Sequence, residues 1–143
     1  APSAITRLVN MGVDELLVTS SVILICAQRL VRRICQDCKE RIDIPPKALL
    51  NIGFSPDEAS EVEVFAGKGC PKCGNTGYKG RIGLYEVMTM SDELRRMILD
   101  GASAIDLKRQ AIQEGMITLR RSGLTKIKNG ITTIEEVIRE TVL

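Results

Sequence analysis

The chain has 143 residues, 44% of them hydrophobic, 27% charged and 3% aromatic, with twenty basic and eighteen acidic side chains for a net charge of +2. Such a balance suits one compact domain or two small ones and excludes a disordered tail. It creates no basic field to draw in nucleic acid, and without Trp there is little surface on which bases could stack. Histidine is absent, which removes Ser-His-Asp and Cys-His catalysis and confines any metal site to sulfur and oxygen donors.

In chain order, Ile5, Leu8, Val9 and Met11 fit a short helix ended by Gly12, and a second element runs from Asp14 through the apolar run LLVTSSVILICA at 16–27. Interrupted by Thr19, Ser20 and Ser21, that run is too short to cross a bilayer core of about 30 Å and has the length of a buried core element. No basic segment precedes it in the manner of a signal peptide, so a cytoplasmic chain with reduced cysteines is expected. Cys26, inside the run, reads as an inert buried thiol. The segment QRLVRRI fits either a strand or the end of a helix. Residues 1–34 together read as one apolar packing unit.

Residues 35–86 change in texture, being rich in Gly, Pro and Cys. Pro45-Pro46 opens a helix through KALLNIG that Gly53 stops. Ser55, Pro56 and Glu58 then give an N-cap, a proline at the first helical position and a capping glutamate. VEVFAG at 62–67 and RIGLYEV at 81–87 alternate like strands. The glycines at 74, 77, 80 and 83 suit a tight knuckle followed by the turn of a hairpin. No GxxxxGK[ST] phosphate loop is present: Gly67-Lys68 is followed by Gly69 and lacks the preceding spaced glycine.

The rest of the chain is helical in pattern. Ser91 caps a helix with Leu94, Met97 and Ile98 on its apolar face, ending near Gly101. Ser103 caps another, with Ala104, Leu107 and Ala111 on one stripe, ending at Gly115. Thr118 to Lys128 and Thr133 to Val142 follow, the last opened by the capping box Thr133-x-x-Glu136 with Ile134, Val137 and Ile138 facing inward. Four short helices with glycine stops imply a bundle. The fold class expected is therefore α+β and mostly helical.

The strongest chemical signal is the pair of CxxC motifs, Cys35/Cys38 and Cys70/Cys73, with 31 residues between them. Each motif can sit on a tight turn that aims both sulfurs at one point, and four thiolates suit one Zn²⁺. The separation exceeds the usual spacing of compact zinc ribbons, and the helices between the pairs account for it as an insertion. Closing the loop costs roughly 3 kcal/mol, against on the order of 10 kcal/mol or more from a structural zinc. Two disulfides, a redox dithiol and an iron–sulfur cluster are the competing uses of the same residues. With all four positions cysteine, no coordination site is open for a catalytic water, so the metal is structural. On these grounds alone, a free-standing zinc-ribbon module that binds nucleic acid or protein is one reading of the chain.

Four blocks together carry more. APSAITRL, AQRLVRRIC-x-x-C, GCPKCGNTGYKGRIGLYEV and EGMITLRRSGLTKIKNGITTIEEV, in that order, resemble the C-terminal part of the secretion and pilus-assembly ATPases, and the likeness covers essentially all of the chain. The ending SGLTKIKNGITTIEEV is closer to the pilus extension branch, and the tetracysteine set argues against the retraction branch. The resemblance implies that residues 1–34 close a RecA-like P-loop ATPase domain, that 35–86 form a zinc-binding module with a β hairpin, and that 87–143 form a helical subdomain. It further implies a chain lacking the P-loop that precedes Ala1-Pro2 in the family, with ATP and Mg²⁺ bound only in the full-length parent. The parent would be a homo-hexamer, peripheral to the inner membrane beneath a platform protein and without a nucleic-acid partner. Arg29 and Arg81 are expected to contact nucleotide or a neighbouring subunit. The alternative is a solvated basic face, with Arg29, Arg32 and Arg33 paired to Asp37, Glu40 or Asp43.

Overall fold

The computed structural model describes residues 1–141 and contains, among them, eight α-helices, one 3-10 turn and four strands, an α+β chain. Val142, placed at the end of the last expected helix, lies outside the described residues. The chain divides into two units, each discontinuous in sequence: residues 1–27 with 85–118, and residues 28–84 with the segment from Leu119 onward. Strand β1 (Leu24–Ile34) pairs with β4 (Tyr78–Thr89) in a two-stranded sheet, and the division cuts both strands. No described helix is long and apolar enough to cross a membrane.

The first unit contains helices α1 (Ser3–Asn10), α2 (Glu15–Ser21), α5 (Asp92–Leu99) and α6 (Ala104–Gln113) with the adjoining strand halves. Their starts are fixed locally. Asp14 accepts a hydrogen bond from the Leu16 N–H at 2.8 Å, Ser91 from Leu94 at 3.1 Å and Ser103 from Asp106 at 3.2 Å, each satisfying a donor that the first turn leaves over. Leu94 with Ile98 and Leu107 with Ala111, each pair four residues apart, put one stripe of each helix inward. They join Ile5, Val18, Met88 and Met90 in a single apolar cluster.

The apolar run at 16–27 does not form one buried element. Its first part is α2 and its second opens β1. Val18 is buried, whereas Leu16, Leu17, Ile23 and Leu24 are exposed. Strand alternation gives Ile25 and Ala27 partial cover and turns Leu24 and Cys26 outward. Cys26 is thus exposed, which corrects the expectation of a buried thiol.

In the second unit, β2 (Lys39–Ile42) pairs antiparallel with β3 (Val64–Gly67), with Lys39 opposite Gly67 and Ile42 opposite Val64. Helices α3 (Pro46–Ile52) and α4 (Pro56–Glu61) are inserted between these strands. The strand expected at 62–67 pairs with β2, and the one expected at 81–87 belongs to β4, paired with β1. The capping box at α4 is closed as the sequence predicts, the Glu58 N–H donating to Ser55 Oγ at 3.2 Å and the Ser55 N–H to Glu58 Oε1 at 3.3 Å. Leu49, Ile52, Phe54, Ala59 and Val64 pack with Leu124 and Ile127 of α7 (Leu119–Lys128) and Val137 of α8 (Ile134–Glu140). The four C-terminal helices are accordingly shared between the units in pairs, α5 with α6 and α7 with α8. Ile138, expected to face inward, is exposed.

Candidate metal centre

Two knuckles converge in the second unit. The first follows the buried end of β1: Ile34 donates its N–H to the Ile131 carbonyl at 2.8 Å, and Cys35 donates to the Gly77 carbonyl at 2.9 Å. Cys38 lies just before β2, its carbonyl accepting from the Lys68 N–H at 3.2 Å. In the second knuckle, Pro71 begins a 3-10 turn, Pro71–Cys73, and Gly74 and Asn75 follow in the left-handed region, where Asn75 donates to the Cys70 carbonyl at 2.9 Å. The backbone N–H groups of Cys70 and Gly77 both point at Cys73 Sγ, each at 3.3 Å. Such donors stabilise a thiolate.

Gly77 explains one of the spaced glycines. It sits at φ +82, and its backbone passes so close to Gly67 that a Cβ on either residue would lie 2.2–2.3 Å from the other's carbonyl oxygen. Backbone cannot yield as a flexible side chain can, so both positions need glycine. The close crossing lets the second knuckle reach the first.

The Sγ atoms of Cys35, Cys38, Cys70 and Cys73 all lie within 4.8 Å of one another. Cys35 to Cys70 is 3.8 Å, Cys38 to Cys73 3.9 Å and Cys70 to Cys73 3.7 Å. A tetrahedron of thiolates at a Zn–S distance of about 2.3 Å has edges of about 3.8 Å. The donor set thus fits one tetrahedral ion, and all four cysteines are free thiols, not disulfides. Convergence of both CxxC motifs on one point also leaves neither as an isolated redox dithiol. Cys35 and Cys38 are buried and Cys70 and Cys73 half-buried, which keeps the site closed to bulk water on the side of the first knuckle.

Protonation divides the set. Burial pushes the Cys38 thiol up to about 12, with hydrogen bonds to the other three thiols adding to the rise. Burial acts in the same sense on Cys73, but the N–H donors of Cys70 and Gly77 and the neighbouring thiols outweigh it and bring that thiol down to about 6. Cys73 thus carries the most stabilised thiolate of the set, and binding of an ion would release the protons held by the others.

A second polar feature lies alongside the centre. Glu136 is buried in α8, where the Arg32 backbone N–H donates to Oε2 at 2.8 Å and the Arg32 guanidinium to Oε1 at 2.8 and 3.0 Å. Arg139 adds a contact to Oε1 at 2.7 Å. Burial alone would raise the Glu136 carboxyl, yet the Arg32 bonds hold it below the usual carboxylate range. The Arg32 guanidinium also lies 4.1 Å over the Tyr78 ring, Tyr78 Oη is 2.8 Å from Thr133 Oγ1, and Thr132 donates to the Arg32 carbonyl at 2.8 Å. The sequence pattern assigned Glu136 to a capping box. Thr133 does cap α8, accepting from the Glu136 N–H at 3.3 Å, but the Glu136 side chain turns to Arg32 instead. No local pattern could reveal a partner 104 residues away.

The arginines are separated by this geometry. Arg29 is exposed on β1 and donates to its neighbour's carbonyl, Gln28 O, at 3.1 Å. Arg81 lines an open cavity with Arg33, Lys79 and Asp37, and Asp37 is bridged across the knuckles by Lys72 at 3.4 Å. The cluster Arg29, Arg32, Arg33 is thus not one basic face paired to local acids. Arg32 is bound to Glu136, and among the described residues Arg29 and Arg33 make no ion pair.

Over residues 1–139 the chain matches the family described as Type II/IV secretion system protein. It is 44% identical over 142 residues to the type IV pilus assembly ATPase PilB of Myxococcus xanthus, covering 99% of this chain and 25% of that protein. The PilB of Thermus thermophilus is 43% identical over 142 residues, with 99% and 16% covered. The type II secretion system protein E of Pseudomonas aeruginosa is 40% identical over 143 residues, with 99% and 28% covered. The chain therefore spans about a quarter or less of the length of the pilus relatives it matches.

Proposed function

This chain belongs to the Type II/IV secretion system protein family, and from that premise we propose that it is the C-terminal region of a hexameric motor ATPase powering type IV pilus assembly or type II secretion. The observation that carries the proposal is the collinear match at 44% identity across 99% of the chain. Since GxxxxGK[ST] is absent here, nucleotide and Mg²⁺ are assigned to the rest of the parent, which acts in the cytoplasm, peripheral to the inner membrane. Residues 1–34 close its RecA-like domain. Residues 35–86 supply a module braced by Zn²⁺ at Cys35, Cys38, Cys70 and Cys73, and residues 87–143 a helical part, with surfaces for a neighbouring subunit and for a membrane platform protein. The ion's task is shape: four thiolates hold two turns together and leave no position for water. Arg29 and Arg81 are the residues assigned to nucleotide or inter-subunit contact. Between the two branches, the ending SGLTKIKNGITTIEEV favours pilus extension.

The test is made in the longer protein. Cys38→Ser is expected to bring zinc below one ion per chain and to lower ATP turnover together with hexamer formation, read by metal analysis, phosphate release and light scattering. A longer protein that keeps its tetracysteine site yet neither hydrolyses ATP nor assembles beyond a monomer would overturn the reading.

A further inference from the structure

The geometry points to a phosphoryl-binding site in the cavity beside the first knuckle, formed by Arg33, Lys79 and Arg81. It deepens the assignment of Arg81 to an anionic contact and requires no motor around it. The cavity is open to solvent, offers about 250 Å³ and is lined by residues of both strand ends that flank the cysteine turns. Gly80 stands between Lys79 and Arg81 at φ +85, and a Cβ there would meet Arg33 Cδ at 3.6 Å. The aliphatic stem of Arg33 therefore rests against the glycine, and three cationic side chains border one opening.

Their partners are missing. Among the described residues, Arg33, Lys79 and Arg81 form no ion pair, although the adjacent arginine on the same strand, Arg32, is bound at three points by Glu136. Strand alternation sends Arg32 to that carboxylate and Arg33 to the opposite side. Asp37 is the sole carboxylate in the lining, and Lys72 already engages it at 3.4 Å. Three like charges around one opening repel, and an anion placed among them relieves that repulsion.

The chemistry selects the anion. One guanidinium fork satisfies one carboxylate, whereas two guanidinium groups and an ammonium present donors from several directions, as a three-oxygen phosphoryl group requires. The volume is smaller than the range typical of sites that enclose drug-sized ligands, so it suits a phosphate or diphosphate group and not an entire nucleotide. The phosphoryl group is supplied by free phosphate or by the tail of a nucleotide whose base lies outside.

The experiment uses the zinc-loaded chain and calorimetric titration with inorganic pyrophosphate, ATP and citrate at two salt concentrations. Pyrophosphate is expected to bind, and the Arg33→Gln/Arg81→Gln double variant to lose at least tenfold in affinity at unchanged zinc content, with the exposed Arg109→Gln of the first unit unaffected. ATP binding as tightly as pyrophosphate assigns the nucleotide tail as the source, and weaker ATP binding assigns free phosphate. Citrate binding equal to pyrophosphate would overturn the proposal, because charge alone then explains it. So would a double variant that binds pyrophosphate as before, or one that loses zinc while phosphate binding is untouched, since the cations would then serve only to balance the metal thiolates. ATPase assays on the longer protein judge the motor reading separately.

Discussion

The first unit is held by one apolar interior, in which Ile5, Val18, Met88, Met90, Leu94, Ile98, Leu107 and Ala111 meet in a single cluster. The second holds itself at three separate places: an apolar cluster beneath α7 and α8, the tetracysteine centre, and the Glu136 latch. Its knuckle segment, rich in Gly and Pro, has few side chains large enough to fill a core, and burial of apolar area is what normally offsets chain entropy. Where that segment cannot supply burial, thiolates and an ion pair take over. A region poor in apolar residues is thus stabilised by directed contacts, each dependent on a few atoms.

The comparison is broken most severely by depriving the tetracysteine centre of the ion proposed for it. A chelator, or Cys38→Ser, removes on the order of 10 kcal/mol, comparable to the whole stability of a small domain. Amide exchange should show the second unit open at 28–84 while the amides of α1, α2, α5 and α6 stay protected. Loss of protection in both units at once would mean that they do not fold independently. The reciprocal change is Leu94→Ala. Leu94 is fully buried, and its truncation costs about 3–5 kcal/mol through lost burial and a cavity. Denaturant unfolding should show the first unit weakened, with zinc content unaltered.

Arg32→Ala tests the latch. Removing one partner of a buried pair typically costs about 3–5 kcal/mol. Here the Arg32 side chain is 43% exposed and Arg139 remains beside Glu136 at 2.7 Å, so only about 1–2 kcal/mol is expected from denaturant midpoints. Glu136→Gln in the same background should recover part of the loss by removing the uncompensated charge. The smallest effect concerns Glu58, which the Arg121 guanidinium holds down to about 2 through bonds of 2.8 and 3.0 Å. A depressed carboxyl stabilises the fold above its unfolded value near 4.5, and that contribution fades as pH falls from there through 2. Because Arg121 is partly exposed, the pair contributes no more than about 1 kcal/mol. The Glu58 carboxyl resonance should titrate well below 4 in the wild type and return to the ordinary carboxylate range in Arg121→Met.

Much of this was legible because the signals are local. Ser55, Ser91, Ser103 and Asp14 start their helices through bonds spanning two or three residues. The two CxxC motifs announce their chemistry by spacing alone. What escaped was settled by distant partners. KERI at 39–42 has no strand signature of its own and becomes β2 through pairing with 64–67. The strands at 62–67 and 81–87 were legible by their alternation, but their partners, β2 and β1, lie elsewhere in the chain and could not be read locally. Cys26 and Ile138 were placed inward by apolar context, yet strand alternation and the width of α8's buried stripe leave both exposed. Glu136 matched a capping motif that its side chain does not complete.

The interleaving of the two units has a consequence during translation. A ribosome delivers Cys35, Cys38, Cys70 and Cys73 before it has made α5 and α6, which complete the interior of the first unit, and before α7 and α8, which roof the second. Domains generally fold as units as they emerge, but neither unit here is whole when its first strand appears. The earliest assembly that the nascent chain can finish is the convergence of these four thiols, with both hydrophobic interiors still waiting for residues not yet joined.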